Sequence, residues 1–128
     1  MNDQLTHEII AAAYKVHNTL GYGFFEKVYE NAMMIELRKR GLSATQQLPV
    51  VVYYEGEIVG DYKADIFVEE KIIIELKANI NLVERDEVQL VNYLKGTEKP
   101  YGLLINFGTS VLVKRKYRDY KPSDSDEG

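Results

Sequence analysis

The chain has 128 residues, 45% of them hydrophobic, which is enough for one domain with a buried core. Its 16 basic and 20 acidic residues give a net charge of −4, unlike the strongly basic surface of a stoichiometric nucleic-acid binder. Cysteine is absent, which excludes disulfides and thiolate metal sites and leads us to expect a cytoplasmic location.

Two further features restrict the class of protein. No apolar run approaches the roughly 18–20 residues that span a bilayer, and no basic segment followed by an apolar block opens the chain, so we expect neither membrane span nor secretory signal. The only histidines, His7 and His17, are ten residues apart on one predicted helix and cannot chelate the same metal. Any metal site must therefore use oxygen ligands, which favours Mg²⁺, Mn²⁺ or Ca²⁺.

Two helices are predicted to begin the chain. Apolar residues three and four apart predict a helix over residues 5–20, which ends at the glycine-rich segment 21–23. A second helix is predicted over residues 25–40, and it carries Glu26 and Glu30 four residues apart on one face. From residue chemistry alone, we expect these two carboxylates to lie on a solvated flank.

The rest of the chain is predicted to alternate between strands and one more helix. Strands at 46–54, 57–68 and 71–77 form an antiparallel meander, and a helix over 84–95 leads to a strand at 101–107 that is expected to pair in parallel with the third. A last strand covers 111–117. The order α-α-β-β-β-α-β-β predicts an α/β (α+β) domain over residues 1–121, with a mixed sheet flanked by helices, and a disordered acidic tail over 122–128.

A carboxylate and an amine, Glu75 and Lys77, interrupt the third strand and share one of its faces, because side chains alternate along a strand. A buried charge is costly unless it is paired or binds a metal, and Asp65 on the preceding strand is the natural companion. If residues 69–71 form the connection, Val68 pairs with Ile72 and Asp65 lies opposite Glu75. A two-residue turn would place Asp65 on the other face. We predict the three-residue connection, because no Asn-Gly or Asp-Gly is present to form the shorter one.

In that register one sheet face presents both carboxylates and the lysine. Two carboxylates about 5 Å apart repel each other unless a cation lies between them. We therefore predict a divalent ion bound by Asp65, Glu75, water and the carbonyl of Leu76, with Lys77 acting on the attacking water and on the phosphate charge. This combination suits metal-assisted hydrolysis of a phosphodiester. An ordinary cross-strand salt network that includes Lys63 is the alternative that the spacing leaves open.

These residues resemble a known motif. Asp65 with Glu75-Leu76-Lys77 looks like the core motif of the PD-(D/E)XK nuclease superfamily, although Ala64 stands where the motif has proline. The predicted element order is similar to the restriction-endonuclease-like core of that superfamily, with one extra N-terminal helix. More narrowly, the segment Gly23-Phe24-Phe25-Glu26-Lys27-Val28-Tyr29-Glu30 resembles the signature of the bacterial and archaeal GxxExxY proteins, and segments 5–10, 89–94 and 103–108 fit the same family.

The resemblance implies a Mg²⁺- or Mn²⁺-dependent nuclease whose partner is a nucleic acid, DNA or else RNA. It makes Glu26 a third acidic metal ligand, with Glu30 in reserve. It also implies that Gln89 and Tyr93 orient the lysine, the metal shell or the nucleic-acid backbone, although a tyrosine at this position also fits a plain core role. The implied catalytic set is Asp65, Glu75, Lys77, Glu26, Gln89 and Tyr93.

Other functions remain open at this stage. A non-catalytic module that binds nucleic acid or protein could keep the same scaffold, although every acidic and lysine position of the motif is filled here. A small-molecule enzyme is less favoured, because no glycine-rich phosphate loop is present. The run Lys114-Arg115-Lys116 could steer phosphates or simply protect an exposed edge strand. Exposed sheet edges are also compatible with a homodimer.

Overall fold

The computed structural model of the chain describes residues 3–99 and 101–118. It contains eight elements: α1 (Asp3–Leu20), α2 (Glu26–Lys39), β1 (Ala44–Tyr54), β2 (Glu57–Val68), β3 (Ile72–Lys77), α3 (Glu84–Thr97), β4 (Tyr101–Phe107) and β5 (Val111–Tyr117). The predicted order of helices and strands is confirmed. The predicted acidic tail, 122–128, lies outside the described residues.

The five strands form one mixed sheet in the order β1-β2-β3-β4-β5. β3 and β4 are parallel, as predicted, and the other neighbouring pairs are antiparallel. β3 and β4 can be parallel because α3 connects them and is long enough to return the chain to the end of the sheet where β3 begins. No helix in the described part of the chain has the length and apolarity needed to cross a membrane.

Helices cover both faces of this sheet. Buried residues of α1 and α2 pack with one face of β3 and β4, where Ile74 and Ile105 lie. Residues of α3 pack against the opposite face, which includes Ile73 and Leu104. Because side chains alternate, Glu75 and Lys77 share the face of Ile73 and point toward the α3 layer.

The register between β2 and β3 has the predicted three-residue connection. Val68 pairs with Ile72 and Ile66 with Ile74, and the Lys71 N–H donates to the Val68 carbonyl at 2.9 Å. The last β2–β3 pair is Ile66 with Ile74. Asp65 and Glu75 are the next residues on each strand and lie where the two strands separate.

Beyond this point β1 and β2 continue as a two-stranded arm, defined here as residues 48–54 and 57–64. The arm packs Val50 and Ala64 against α3, whereas Ile66 lies on the α1–α2 face. The change of face occurs beside Gln47, which has a left-handed φ of 56° that residues with a Cβ rarely adopt. The bend folds the arm over α3, close to Gly96, where an added Cβ would lie 2.7 Å from Val50 Cγ1.

The parallel pairing of β3 with β4 can be tested at Gly102. A Cβ at this position would lie 2.6 Å from the Ile73 carbonyl oxygen, so Gly102→Ala is expected to lower the free energy of unfolding by about 1–3 kcal/mol. Chemical denaturation measures the loss. Thr109→Ala, in the exposed turn after β4, is the control and is expected to stay within about 0.5 kcal/mol of wild type. Equal stability of the two variants would contradict this strand packing.

Candidate active site

Two hydrogen bonds connect Asp65 to Glu75 and Leu76 where β2 and β3 separate. The Asp65 N–H donates to Glu75 Oε1 at 2.9 Å, and the Leu76 N–H donates to Asp65 Oδ2 at 2.8 Å. Each carboxylate thus takes the place of a backbone carbonyl that the sheet would otherwise supply. The two acids are held side by side at the end of the ladder, as the predicted register requires.

These carboxylates lie in a buried environment that disfavours their charge. Glu75 is only 3% exposed. Burial and then the negative charge of Asp65 raise the pKa of Glu75 to about 8, although the Asp65 N–H and Lys77 oppose the shift. Burial also raises the pKa of Asp65, against the hydrogen bond from the Leu76 N–H. The fold therefore disfavours two ionised carboxylates at this site, and a bound cation would stabilise their ionised forms.

Glu26 begins α2 and joins the same electrostatic environment. Burial raises its pKa first and the negative charge of Asp65 raises it further, whereas Lys77 lowers it. Glu30 also influences the pKa of both Glu26 and Asp65 through its charge. The start of α2 thus brings a third carboxylate toward the pair on the sheet.

Glu30 has a different position from Glu26. It is 3% exposed and accepts hydrogen bonds from Gln46 Nε2 at 2.7 Å, Gln47 Nε2 at 3.1 Å and Lys27 Nζ at 2.9 Å. The expectation of a solvated flank is wrong for Glu30, because tertiary contacts with β1 bury it. Its carboxylate connects α2 to the bend in β1, and its charge also raises the pKa of Asp65.

The loop before α2 is fixed by Tyr29. Its hydroxyl donates to the Gly21 carbonyl at 2.7 Å and accepts from the Phe24 N–H at 3.2 Å, and its ring stacks on Phe107 with centroids 4.5 Å apart. Gly23 within this loop has a φ of 115°, in a region that favours glycine. The glycine permits the turn and the tyrosine holds it, which together set where α2 and its first residue begin.

Lys77 is held by a chain of hydrogen bonds from α3. Its Nζ donates to Gln89 Oε1 at 3.0 Å, and Gln89 Nε2 donates to the Tyr93 hydroxyl at 2.9 Å. Gln89 and Tyr93 are four residues apart and therefore lie on one face of the helix. Hydrogen bonds thus connect Lys77 with Gln89 and Tyr93, and others hold Asp65 and Glu75 together, whereas Glu26 is linked to the acids and to Lys77 through its charge.

Sequence reasoning missed two residues at this site. Asp86 Oδ1 lies 3.9 Å from Lys77 Nζ, and its other oxygen accepts from the Val83 N–H at the start of α3. Gln47 bonds to Glu30 and also lowers the pKa of Asp65 through a side-chain hydrogen bond. The sequence provides only weak evidence for Asp86, because acidic residues are common in the first turn of any helix. No local sequence feature distinguishes Gln47 from other polar residues.

The basic run on β5 has partners within the fold. Lys114 Nζ lies 3.4 Å from Glu87 Oε2, and Lys116, which is 9% exposed, pairs with Glu87 Oε1. These ion pairs lower the pKa of the Glu87 carboxyl against the effect of its burial. Two of the three cations in this run therefore attach β5 to α3, which leaves less positive charge to steer phosphates.

The residues present fit a divalent ion by their chemistry. Carboxylate and carbonyl oxygens are the ligands that Mg²⁺ and Mn²⁺ prefer. Among residues 3–99 and 101–118, no set of three or more His, Asp or Glu side chains stands in an arrangement that could hold a metal as it is. One oxygen of Asp65 and one of Glu75 are engaged with backbone N–H groups, so binding requires these side chains or Glu26 to adjust.

Comparisons with known proteins agree with this geometry. The sequence profile of the PD-(D/E)XK nuclease superfamily matches residues 3–119. Among solved structures, the crystal structure of SSO0001 is similar, with a TM-score of 0.62 and 15% sequence identity over 77% of this chain and 53% of that one. This likeness supports the restriction-endonuclease-like fold, and the chain spans about half the length of that protein. No protein of curated function matches significantly.

The raised pKa of Glu75 predicts how stability depends on pH in metal-free buffer. Glu75 binds its proton more tightly in the folded chain than in the unfolded one, where the pKa is near 4.5. Its contribution to the free energy of unfolding is therefore complete below about pH 4.5 and is lost as the pH rises toward about 8.

Denaturation between pH 5 and 8 with a chelator present measures this slope. Glu75→Gln is expected to flatten it, because the titrating group is removed. Asp65→Asn is expected to move the slope to lower pH, because it removes a charge that raises the pKa of Glu75. A wild-type slope that both variants retain would contradict this account.

Proposed function

Because the chain belongs to the PD-(D/E)XK nuclease superfamily, we propose that it is a divalent-metal-dependent nuclease that hydrolyses phosphodiester bonds of DNA. The observation that carries the proposal is a pair of hydrogen bonds, from the Asp65 N–H to Glu75 and from the Leu76 N–H to Asp65, which holds a buried acid and a half-buried acid on the strands that lead to Lys77. An ordinary salt network would pair each acid with a lysine. Here the acids instead accept from backbone N–H groups, and the lysine donates to Gln89.

The GxxExxY group is the finer assignment within this proposal. Its three defining positions are Gly23, Glu26 and Tyr29, and each has a distinct use in this chain. Gly23 adopts a φ of 115°, Tyr29 holds the loop through Gly21, and Glu26 begins the helix beside the site. The spacing of the motif thus corresponds to a loop that delivers one carboxylate to the acids on the sheet.

A metal ion would be held by Asp65, Glu75, Glu26 and the carbonyl of Leu76. The Leu76 N–H points toward Asp65, and the N–H and C=O of one strand residue face the same neighbouring strand, so the carbonyl faces the same gap. When bound, Mg²⁺ or Mn²⁺ supplies charge stabilisation at the phosphoryl oxygens and lowers the pKa of water. The raised pKa of the acids means that a cation must also compete with protons for them.

Lys77 acts on the phosphate and on the attacking water in this proposal. Its ammonium group has three N–H donors, of which one is donated to Gln89. The others can stabilise negative charge that develops on the phosphoryl oxygens and can orient the water. Gln89 and Tyr93 fix the lysine in this direction, and Asp86 Oδ1 lies 3.9 Å from its Nζ.

Cleavage of DNA tests the catalytic assignment. With Mg²⁺ or Mn²⁺, the wild-type protein is expected to cleave supercoiled, linear or single-stranded DNA, and Glu75→Gln and Lys77→Ala are each expected to lower the rate by roughly 100-fold or more. Lys71→Ala is the matched control, because it removes the same charge from an exposed turn. Equal rates in wild type, Glu75→Gln and Lys77→Ala would overturn the assignment. RNA substrates in the same assay decide the sugar preference.

Metal binding is tested separately from turnover. Titration calorimetry with Mn²⁺ at pH 8 is expected to detect binding that falls more than about tenfold in Asp65→Asn and in Glu26→Gln. Glu70→Gln, in the exposed turn between β2 and β3, is the control and is expected to bind as wild type does. Binding that is unaffected by Glu26→Gln but lost in Glu30→Gln would reassign the third ligand.

A further inference from the structure

A pocket of about 850 Å³ lies between the arm and α3, and it opens onto the candidate active site. Lys77, Gln89 and Tyr93 line its floor, so the same residues form part of both sites. The volume is within the range of sites that enclose small organic groups. Whatever occupies this pocket therefore lies directly beside the lysine that acts on the phosphate.

The arm supplies an apolar and aromatic wall. Val59 is 61% exposed and Tyr62 is 50% exposed, although both lie on a strand that faces the pocket. The Tyr62 ring is 6.0 Å from the ring of Tyr93, which is itself buried, so Tyr62 is the tyrosine whose ring is available to a ligand. A half-exposed aromatic ring at the mouth of a pocket is suited to stacking against a flat partner.

The α3 wall supplies positive charge and amide groups. Arg85 and Lys95 line the pocket, and neither forms an ion pair with another residue in the described ranges 3–99 and 101–118. This differs from Lys114 and Lys116, which pair with Glu87. Asn92 lies between the two cations on the same helix and offers both a donor and an acceptor. Arg85 and Lys95 thus give the pocket positive charge that no ion pair among the described residues neutralises, beside the acid Asp86 in the same lining.

From this combination we propose that the pocket binds an unpaired nucleotide next to the phosphodiester that is cleaved. Tyr62 stacks on the base, Asn92 contacts its edge, and Arg85 and Lys95 bind the flanking phosphates. A base within a duplex cannot enter such a pocket without leaving the stack, whereas a single strand offers its bases directly. The substrate class is therefore single-stranded or locally unpaired nucleic acid. The inference rests on the proposed nuclease function.

The test measures binding without cleavage. Wild-type protein is mixed, with a chelator present, with a fluorescently labelled oligothymidylate or with a duplex of equal length. Single strands are expected to bind more tightly than the duplex. Tyr62→Ala is expected to weaken single-strand binding by roughly 5- to 150-fold and to leave duplex binding unchanged, because one stacking contact is lost. Tyr62→Phe keeps the ring and is expected to restore the binding.

Two further measurements complete the design. An oligonucleotide that carries 2-aminopurine is expected to change its fluorescence on binding to wild type and to Tyr62→Phe, but not to Tyr62→Leu, which keeps apolar volume without a ring. Tyr54→Ala, an exposed tyrosine at the end of β1 that does not line the pocket, is the control and is expected to bind as wild type does. Denaturation of each variant shows that it is folded.

The outcomes separate this inference from the proposed function. Tyr62-dependent binding without metal-dependent cleavage would support the pocket and reject hydrolysis. Cleavage that is equal on duplex and single strand, and unaffected by Tyr62→Ala, would support hydrolysis and overturn the pocket. A dimer in sedimentation that dissociates on Tyr62→Ala would also overturn it, because the arm would then be covered by a second copy of the chain.

Discussion

The site depends on two hydrogen bonds, from the Asp65 N–H to Glu75 and from the Leu76 N–H to Asp65, because they join β2 and β3 where the backbone ladder stops. The burial of Glu75, together with the adjacent charge of Asp65, raises the pKa of Glu75 to about 8. The backbone N–H groups and Lys77 offset part of that cost. The remaining cost favours protonation of the acids, and a divalent cation bound to their oxygens would instead stabilise the ionised forms.

The same separation of strands forms the arm. Once β2 leaves β3, the β1–β2 hairpin is free to bend at Gln47 and fold over α3, and the bend is held by Glu30 from α2. The strand separation therefore lies beside both the acids and the pocket that Lys77 lines. The proposed metal site and the proposed nucleotide pocket would share this structural origin.

For binding an anionic ligand, the local distribution of charge on this protein matters more than its net charge. The chain is acidic overall, yet cations near α3 differ in whether the fold pairs them with an acid. Glu87 pairs with Lys114 and Lys116 and so ties β5 to α3, whereas Arg85 and Lys95 face the pocket without an ion-pair partner among the described residues. An acidic protein can in this way present positive charge at one place without a basic surface elsewhere.

The sequence by itself determined the order of elements, the parallel β3–β4 pair and the β2–β3 register, because each depends on local periodicity, connection length or the residues of one turn. It also indicated the acids, the lysine and the Gln89–Tyr93 pair. Only the tertiary structure decided that Glu30 braces β1 while Glu26 approaches the site, and that Gln47 and Asp86 belong there. These contacts join residues distant in sequence, and helical spacing alone cannot distinguish two carboxylates one turn apart.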